Sequence, residues 1–429
     1  LNCQNIYGGG LGAMPYGDYT DGAAYDFGTV NGKATVFIKS GHIGGNVFGG
    51  GAGITSVQKG DSFVDFPNIA HVNQTEVHIY GKAFAYRNNL GRIERTIIYG
   101  NVFGGGDVAN VGTTPAEATE FSRADYIKPA HCATLVNIRS GALMSQVFAG
   151  GKGRLATQCA DYTKLGGVYG NTCLIVDRPV MHYPYWDDAQ QKYLSPADAE
   201  NMAHPANDVN PNLYATIMNQ MFGGCKNGTV YGNTLITLYD GEIAHGVYGG
   251  GLGNTTTTMV NGTERVSTTS ADITGCTNVF IRGGEALLKS YWRPETRSWQ
   301  PASIVNGVIY SPQYDHTKLK FNINHNIYAG GNVACTVGKN TYLTLTKGLL
   351  YNTTQMVSGR DEGKNFFESD EWREIYYKVG SPHFSVFGGG YGENTLVNGD
   401  TYVSVAMEGR GSILQGIDIE EGKEYKHFY

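Results

Sequence analysis

Three segments of the chain repeat one pattern of apolar and polar positions. "TVFIKSGHIGGNVFGGG", "LVNIRSGALMSQVFAGG" and "LITLYDGEIAHGVYGGG" align on a fixed glycine: Gly41, Gly141 and Gly241. Apolar residues fall five and three positions before that glycine and two and six after it. They are Val36, Ile38, Ile43 and Val47 in the first segment, Val136, Ile138, Leu143 and Val147 in the second, and Ile236, Leu238, Ile243 and Val247 in the third. Alternation around a fixed glycine predicts strand, bend, strand.

The end of each segment, an aliphatic residue, then Phe or Tyr, then three mostly glycine positions, occurs eight times. The aromatics are Tyr7, Phe48, Phe103, Phe148, Phe222, Tyr248, Tyr328 and Phe387. The closest two lie 26 residues apart and the others 41 to 80. A constant unit with variable insertions is the sequence form of a solenoid. The expected fold is therefore all-β: one right-handed parallel β-helix over 1–429, its circuits stacked at about 4.8 Å, with long loop insertions and a few short helices.

Glycine is costly in an ordinary strand, so a recurring triplet needs a reason. The expectation is a structural corner at Gly49, Gly50 and Gly51, at Gly104, Gly105 and Gly106, at Gly249, Gly250 and Gly251, and at Gly388, Gly389 and Gly390. Two properties suit glycine to it: access to positive φ and close backbone stacking. A phosphate-binding loop is excluded, because no copy continues into Gly-Lys-Ser/Thr. A calcium-binding repeat needs Asp after the glycines in successive copies, and only Asp107 stands there. Since neighbouring strand residues point to opposite faces, the aliphatic and aromatic positions cannot share one face without a bend. No copy replaces the aromatic with a polar residue, which favours a buried ladder, inside or beneath insertions, over a sugar-binding platform. Its burial is worth roughly 1.5–3 kcal/mol per copy.

Insertions fall near 52–74, 107–131, 178–216, 253–275, 284–325 and 351–384, with a shorter one near 82–95. They hold all four tryptophans, Trp186, Trp292, Trp299 and Trp372. Short helix signals appear at Thr114-Pro115-Glu117, at Ser195-Pro196-Asp198 and around Trp372. The stretch from Asp177 to Tyr193 is densest in polar and aromatic groups, and Tyr183, Tyr185, Trp186 and Tyr193 are its candidate ligand contacts. The competing reading is a flap pinned to the face of a circuit.

Composition narrows the partners. Charged residues make up 16% of the chain, against roughly 25% in average globular proteins. The net charge of −6 supplies no basic patch, so nucleic acid is not an expected partner. No apolar run reaches the length of a membrane-spanning helix. The chain opens on "LNCQNIYGGG", inside the motif, and reads as a piece of something longer. Seven scattered cysteines without CxxC suggest small buried hydrophobes, neither a zinc site nor a disulfide framework.

Catalytic β-helices array carboxylates and bases on neighbouring rungs of one face. The outward positions here are Lys39, Arg139 and Tyr239, then Ser40, Ser140 and Asp240, then His42, Ala142 and Glu242. No carboxylate ladder, HExxH or nucleophile elbow emerges, so no catalytic residue, metal or cofactor is assigned.

With its "VFGGG" and "VYGGG" repeats and the "VYGNT" pieces at Val168–Thr172 and Val230–Thr234, the chain resembles the long glycine-rich β-helix proteins displayed on the surface of Bacteroidales-type bacteria. That family is described as adhesin-like. The resemblance covers nearly the whole chain and brings no catalytic residues. It implies an exported, outer-membrane-associated or extracellular protein, non-enzymatic, that presents loops to host or microbial glycans or to other surface proteins. Two other classes stand beside it: a polysaccharide lyase or hydrolase with a site assembled by insertions, and a phage fibre or tailspike, for which no trimerising heptads are visible.

Overall fold

The structure is a computed structural model that describes residues 2–17, 20–38, 41–79, 96–117, 132–176, 215–238, 241–260, 262–282, 326–347 and 385–405, with the backbone of short strands at 185–187, 192–194, 291–293, 298–300, 303–305, 308–310, 322–323, 349–350 and 413–414. The protein is all-β and dominated by three large sheets, each parallel throughout. Sheet A runs from Asn2–Cys3 through His42–Ile43, Ile97–Ile98, Gly141–Leu143, Ala215–Ile217 and Glu242–Ile243 to Asn322–Ile323. Sheet B contains the eight aliphatic–aromatic pairs, from Ile6–Tyr7 to Val386–Phe387, in the order of the sequence. Sheet C runs from Val30–Ile38 to Thr401–Val405, likewise in sequence order. From sheet C the chain passes to A, then to B, and then back to C one strand further along.

Register in sheet B is strict. Val47 pairs with Ile6 and Val102, and Phe48 with Tyr7 and Phe103, and so on to Ile327 with Val386 and Tyr328 with Phe387. The apolar positions of the aligned segments converge in one core that joins all three sheets: Val36 and Ile38 from C, Ile43 from A, Val47 from B, and their counterparts in each later circuit. The aromatics lie on the opposite face of sheet B; six of them are buried as well, and Tyr7 and Phe387 are half-buried. Their rings stack from Tyr7 to Phe387 at centroid spacings of 4.7–5.0 Å, tilted by no more than 10°. The residues four positions further on form a row of single parallel bridges beside them, from Leu11 to Ala52 and from Asp107 to Tyr391, with Ala52 bridging Val108 between the two. From that row Leu252 packs on the ladder and Lys226 Nζ sits 5.9 Å from the Phe148 ring centre. The ladder is therefore buried outside the main core.

The triplets use only one of the two properties expected of them. None of their glycines has positive φ; the fixed glycines do, with Gly41, Gly141 and Gly241 at 107°, 108° and 109°. The turn from sheet C into sheet A is thus the position whose conformation L side chains rarely adopt. In the triplets the need is close approach. A Cβ on Gly105 would lie 2.7 Å from Gly151 Cα, and one on Gly250 2.8 Å from Gly331 Cα. The backbones of successive circuits are hydrogen-bonded at that level, Gly50 N–H to Gly105 O and Gly105 N–H to Gly150 O, each at 3.0 Å.

Two kinds of polar column accompany the apolar ones. Inside, a threonine in six of the eight sheet C strands donates its hydroxyl across the core to the first triplet carbonyl, for example Thr134 to Ala149 O at 2.7 Å, and Thr172 to Gly223 O and Thr234 to Gly249 O at 2.6 Å. Outside, asparagine oxygens accept from the backbone of the next circuit. Asn46 Oδ1 takes Asn101 N–H at 2.8 Å, and Asn171 Oδ1 takes Asn233 N–H at 2.9 Å.

The insertions obey a different rule. Every described antiparallel pair is a hairpin within one of them, the longest being Asn254–Val260 with Thr263–Thr269. The helix expected from Thr114 does not form at its start. Thr114 to Glu117 run without regular structure, and Ala116 N–H bonds to Tyr231 O at 2.9 Å. A backbone acceptor on the neighbouring circuit outcompetes the local cap. The other two helix signals lie outside the described residues. Among the described residues, helical turns are confined to short 3₁₀ pieces at Gly22–Ala24, Ala156–Gln158 and Tyr162–Lys164. The cysteine reading is corrected in one respect, since Cys132 and Cys173 are disulfide-bonded. Spacing could not show this, because the bond joins Cys173 in sheet C to a residue 41 positions earlier, just ahead of the neighbouring sheet C strand Thr134–Ile138. Cys225 and Cys335 are buried, and burial pushes both thiols up to about 12.

Candidate functional site

Of the four aromatic residues expected to contact a ligand, Tyr183 lies outside the described residues. The other three sit in one antiparallel hairpin, Tyr185–Asp187 with Lys192–Leu194, which sets Tyr185 opposite Leu194 and Trp186 opposite Tyr193. A second hairpin, Tyr291–Arg293 with Ser298–Gln300, sets Trp292 opposite Trp299 in the same way. The insertions thus place paired aromatic positions on short ribbons.

A concavity lined by described residues lies elsewhere, where sheet C begins. It is a cleft of about 560 Å³ whose walls include Asn31, Lys33, Asn73, Thr114, Tyr169 and Asn171. Five stretches distant in sequence build it. Thr113 to Ala116 cross as a strap, held by the Ala116 N–H bond and by Asn233 Nδ2, which donates to Glu117 O at 2.6 Å. Tyr169 stacks on Tyr231 with ring centres 4.6 Å apart. Tyr231 Oη donates to Thr163 O at 3.0 Å, which fixes the pair. Burial raises the pKa of both phenols, so they remain neutral hydrogen-bonding groups. The disulfide partner Cys132 forms part of the opposite wall, and its carbonyl accepts from Gln74 Nε2 at 3.1 Å.

Beside the cleft, Lys33 Nζ reaches Glu76 Oε1 at 2.9 Å, and His78 Nε2 lies 3.1 Å from Glu76 Oε2. Burial pushes the Glu76 carboxyl up, but the hydrogen bonds from Lys33 and His78 outweigh it and hold the group below its ordinary value. Phe37 stacks on His78 at 5.1 Å and leaves 56% of its surface exposed. An ionised carboxylate clamped on both oxygens is a poor proton donor near neutral pH. It holds its neighbours in place. Among the described residues no group of three His, Cys, Asp or Glu gathers where a metal could be held.

A second, smaller cleft of about 400 Å³ borders the aromatic ladder, between Gln146, Lys226, Asn254 and Glu393. Burial, then the nearby Lys152, lowers the Lys226 pKa, while Lys152 itself bonds Asp107 at 3.0 Å.

The cleft beside sheet C was not foreseen from the sequence. Its one readable trace is the "VYGNT" piece, which supplies Tyr169 and Asn171 in one circuit and Tyr231 and Asn233 in the next. Comparison of the chain with known protein families, with curated proteins and with solved structures finds no match.

Proposed function

We propose that this chain is a right-handed parallel β-solenoid of the adhesin-like, cell-surface kind, exported and non-enzymatic, that binds uncharged glycans. In this reading the glycine triplets are its corners and the insertions its presented loops. The carrying observation is the cleft beside sheet C. Amide side chains, a threonine strap and a stacked tyrosine pair offer many neutral donors and acceptors beside an aromatic face, and the nearby charges of Lys33 and Glu76 already satisfy each other. A sugar ring requires that combination: several hydroxyl partners and an apolar face to pack on. Sheets repeating in register hold such a surface rigid, and loops on a rigid scaffold commonly carry recognition.

The test is a glycan array probed with the whole chain, followed by affinity measurement on any hit. Thr114 is exposed at the cleft rim, so Thr114→Trp fills the cleft at little cost to the fold. It is expected to weaken binding at least tenfold without shifting the melting temperature. Tyr185→Ala with Trp186→Ala tests the hairpin in parallel. Binding lost only in the hairpin variant moves the site to the Tyr185–Asp187 hairpin. Binding untouched by both, or no glycan bound at all, removes the proposal.

A further inference from the structure

Beside the aromatic ladder the fold holds a cation for which it supplies no acid. We propose that the cleft lined by Gln146, Lys226, Asn227 and Asn254 binds a carboxylate-bearing sugar, with the acid group on Lys226 Nζ. This second site goes beyond the uncharged-glycan reading of the cleft at sheet C and does not depend on it.

The row of single bridges along the ladder gives the first argument. It carries Asp107, Lys152 and Lys226 in successive circuits, one acid and two bases. The acid is taken by Lys152, whose Nζ lies 3.0 Å from Asp107 Oδ1. Lys226 has no carboxylate partner among the described residues. Its Nζ lies 3.4 Å from Gln146 Oε1 and 5.9 Å from the centre of the Phe148 ring. Both contacts are at the long end of their kind. A half-buried ammonium held so weakly keeps much of the cost of leaving water. Covering the ladder does not require a charge, because Leu252 covers it at the next position of the row.

The space in front of Lys226 gives the second argument. The cleft holds about 400 Å³, within the range of small-ligand sites. The circuits that line it are tied by backbone: Asn227 N–H donates to Leu252 O and Gly253 N–H to Val333 O, each at 2.9 Å. Asn254 and Thr255 line it where the long hairpin begins. Leu252 and Val333 are half-buried and add an apolar patch.

An unsatisfied acceptor gives the third. Asn227 Oδ1 is buried and has no hydrogen-bond partner among the described residues. Leaving a buried acceptor without a donor is costly. The cleft therefore suits a ligand with one anionic group, a hydroxyl donor and an apolar face. A sugar acid carries all three on one ring, whereas inorganic phosphate has no apolar face. Glu393 is the one acid of the lining. It repels a carboxylate from its own side and directs the ligand's acid to Lys226.

Titration of the whole chain by ligand-observed NMR tests this, with methyl glucuronide set against methyl glucoside. The two differ only in a carboxylate that replaces a hydroxymethyl group. The glucuronide is expected to bind about tenfold tighter, the worth of one charge-assisted hydrogen bond. That preference should vanish in Lys226→Met and survive in Thr114→Trp, which alters only the cleft at sheet C. Without ligand, Lys226→Met should melt no lower than the wild type, since it removes a half-buried charge that no acid pairs. Should it melt lower, Asn227→Asp decides. This variant places an acid in the cleft itself and is expected to abolish the preference; a preference it retains overturns the proposal. Undetectable glucuronide binding, equal affinity for the two sugars, or a preference that persists in Lys226→Met also overturns it. So does inorganic phosphate bound as tightly as the glucuronide, because the site would then select charge alone.

Discussion

A Cβ added to the middle glycine of a triplet points at backbone, and backbone cannot move aside as a side chain can. Gly105→Ala therefore has to push the neighbouring circuit away, at a cost of about 1–3 kcal/mol in the manner of overpacked cores. The same change at Gly389 meets open space and is expected to leave the melting temperature where it was; equal shifts would refute the close-approach account. Glu76 makes a second residue-scale prediction. Its folded pKa lies below the usual 4.5, so its contribution is fully present above that value. It is lost as pH falls through the folded pKa. Glu76→Gln should be less stable than the wild type near neutral pH, with the gap narrowing on acidification below pH 4.5. Urea unfolding at several pH values measures this, and a gap independent of pH would remove the ion-clamp assignment. Single residues also mark where sequence reading failed. Eight glycine triplets are conspicuous, so they attracted the requirement for positive φ that Gly41, Gly141 and Gly241 carry. Composition shows that a glycine is needed, but it does not say which of glycine's two freedoms is used.

At the scale of the element, sheet C shows two threonines in opposite circumstances three residues apart. Thr234 faces the core and donates to Gly249 O at 2.6 Å. Thr237 lies on the other face, fully buried, and its hydroxyl has no partner among the described residues. Thr234→Val should cost about 1–3 kcal/mol, because it strips a buried carbonyl of its donor. Thr237→Val should be neutral or stabilising by the same logic. Chemical denaturation of the two variants decides it, and a larger loss from Thr237→Val would invert the assigned faces. The threonine column was hidden in the aligned segments because the first of them has Ala34 where the others have Thr134 and Thr234. The strands themselves were legible, since period-two alternation is local information. The cleft was not, because Lys33, Thr114 and Tyr169 meet only after three circuits have stacked.

For the whole molecule, each circuit of sheet B bonds only to the one before and the one after. Stability in such an array is a sum of unit and nearest-neighbour terms, and opening starts at the ends. Amide hydrogen exchange should be slowest at Gly104, Ala149 and Gly223 in the middle of the stack and fastest at Gly388. Uniform protection along sheet B would show instead that the stack opens as one unit.

The strict register of the aromatic ladder bears on how such a chain can change over generations. Phe222 and Tyr248 are neighbours in the ladder 26 positions apart in sequence; Tyr248 and Tyr328 are equally close neighbours 80 positions apart. Loop-closure entropy grows only as the logarithm of length, so tripling the excursion costs about 1 kcal/mol. Segments as different as these can be gained, lost or exchanged while the rings beneath keep their spacing. Selection can act on the loops almost without reference to the lattice that carries them.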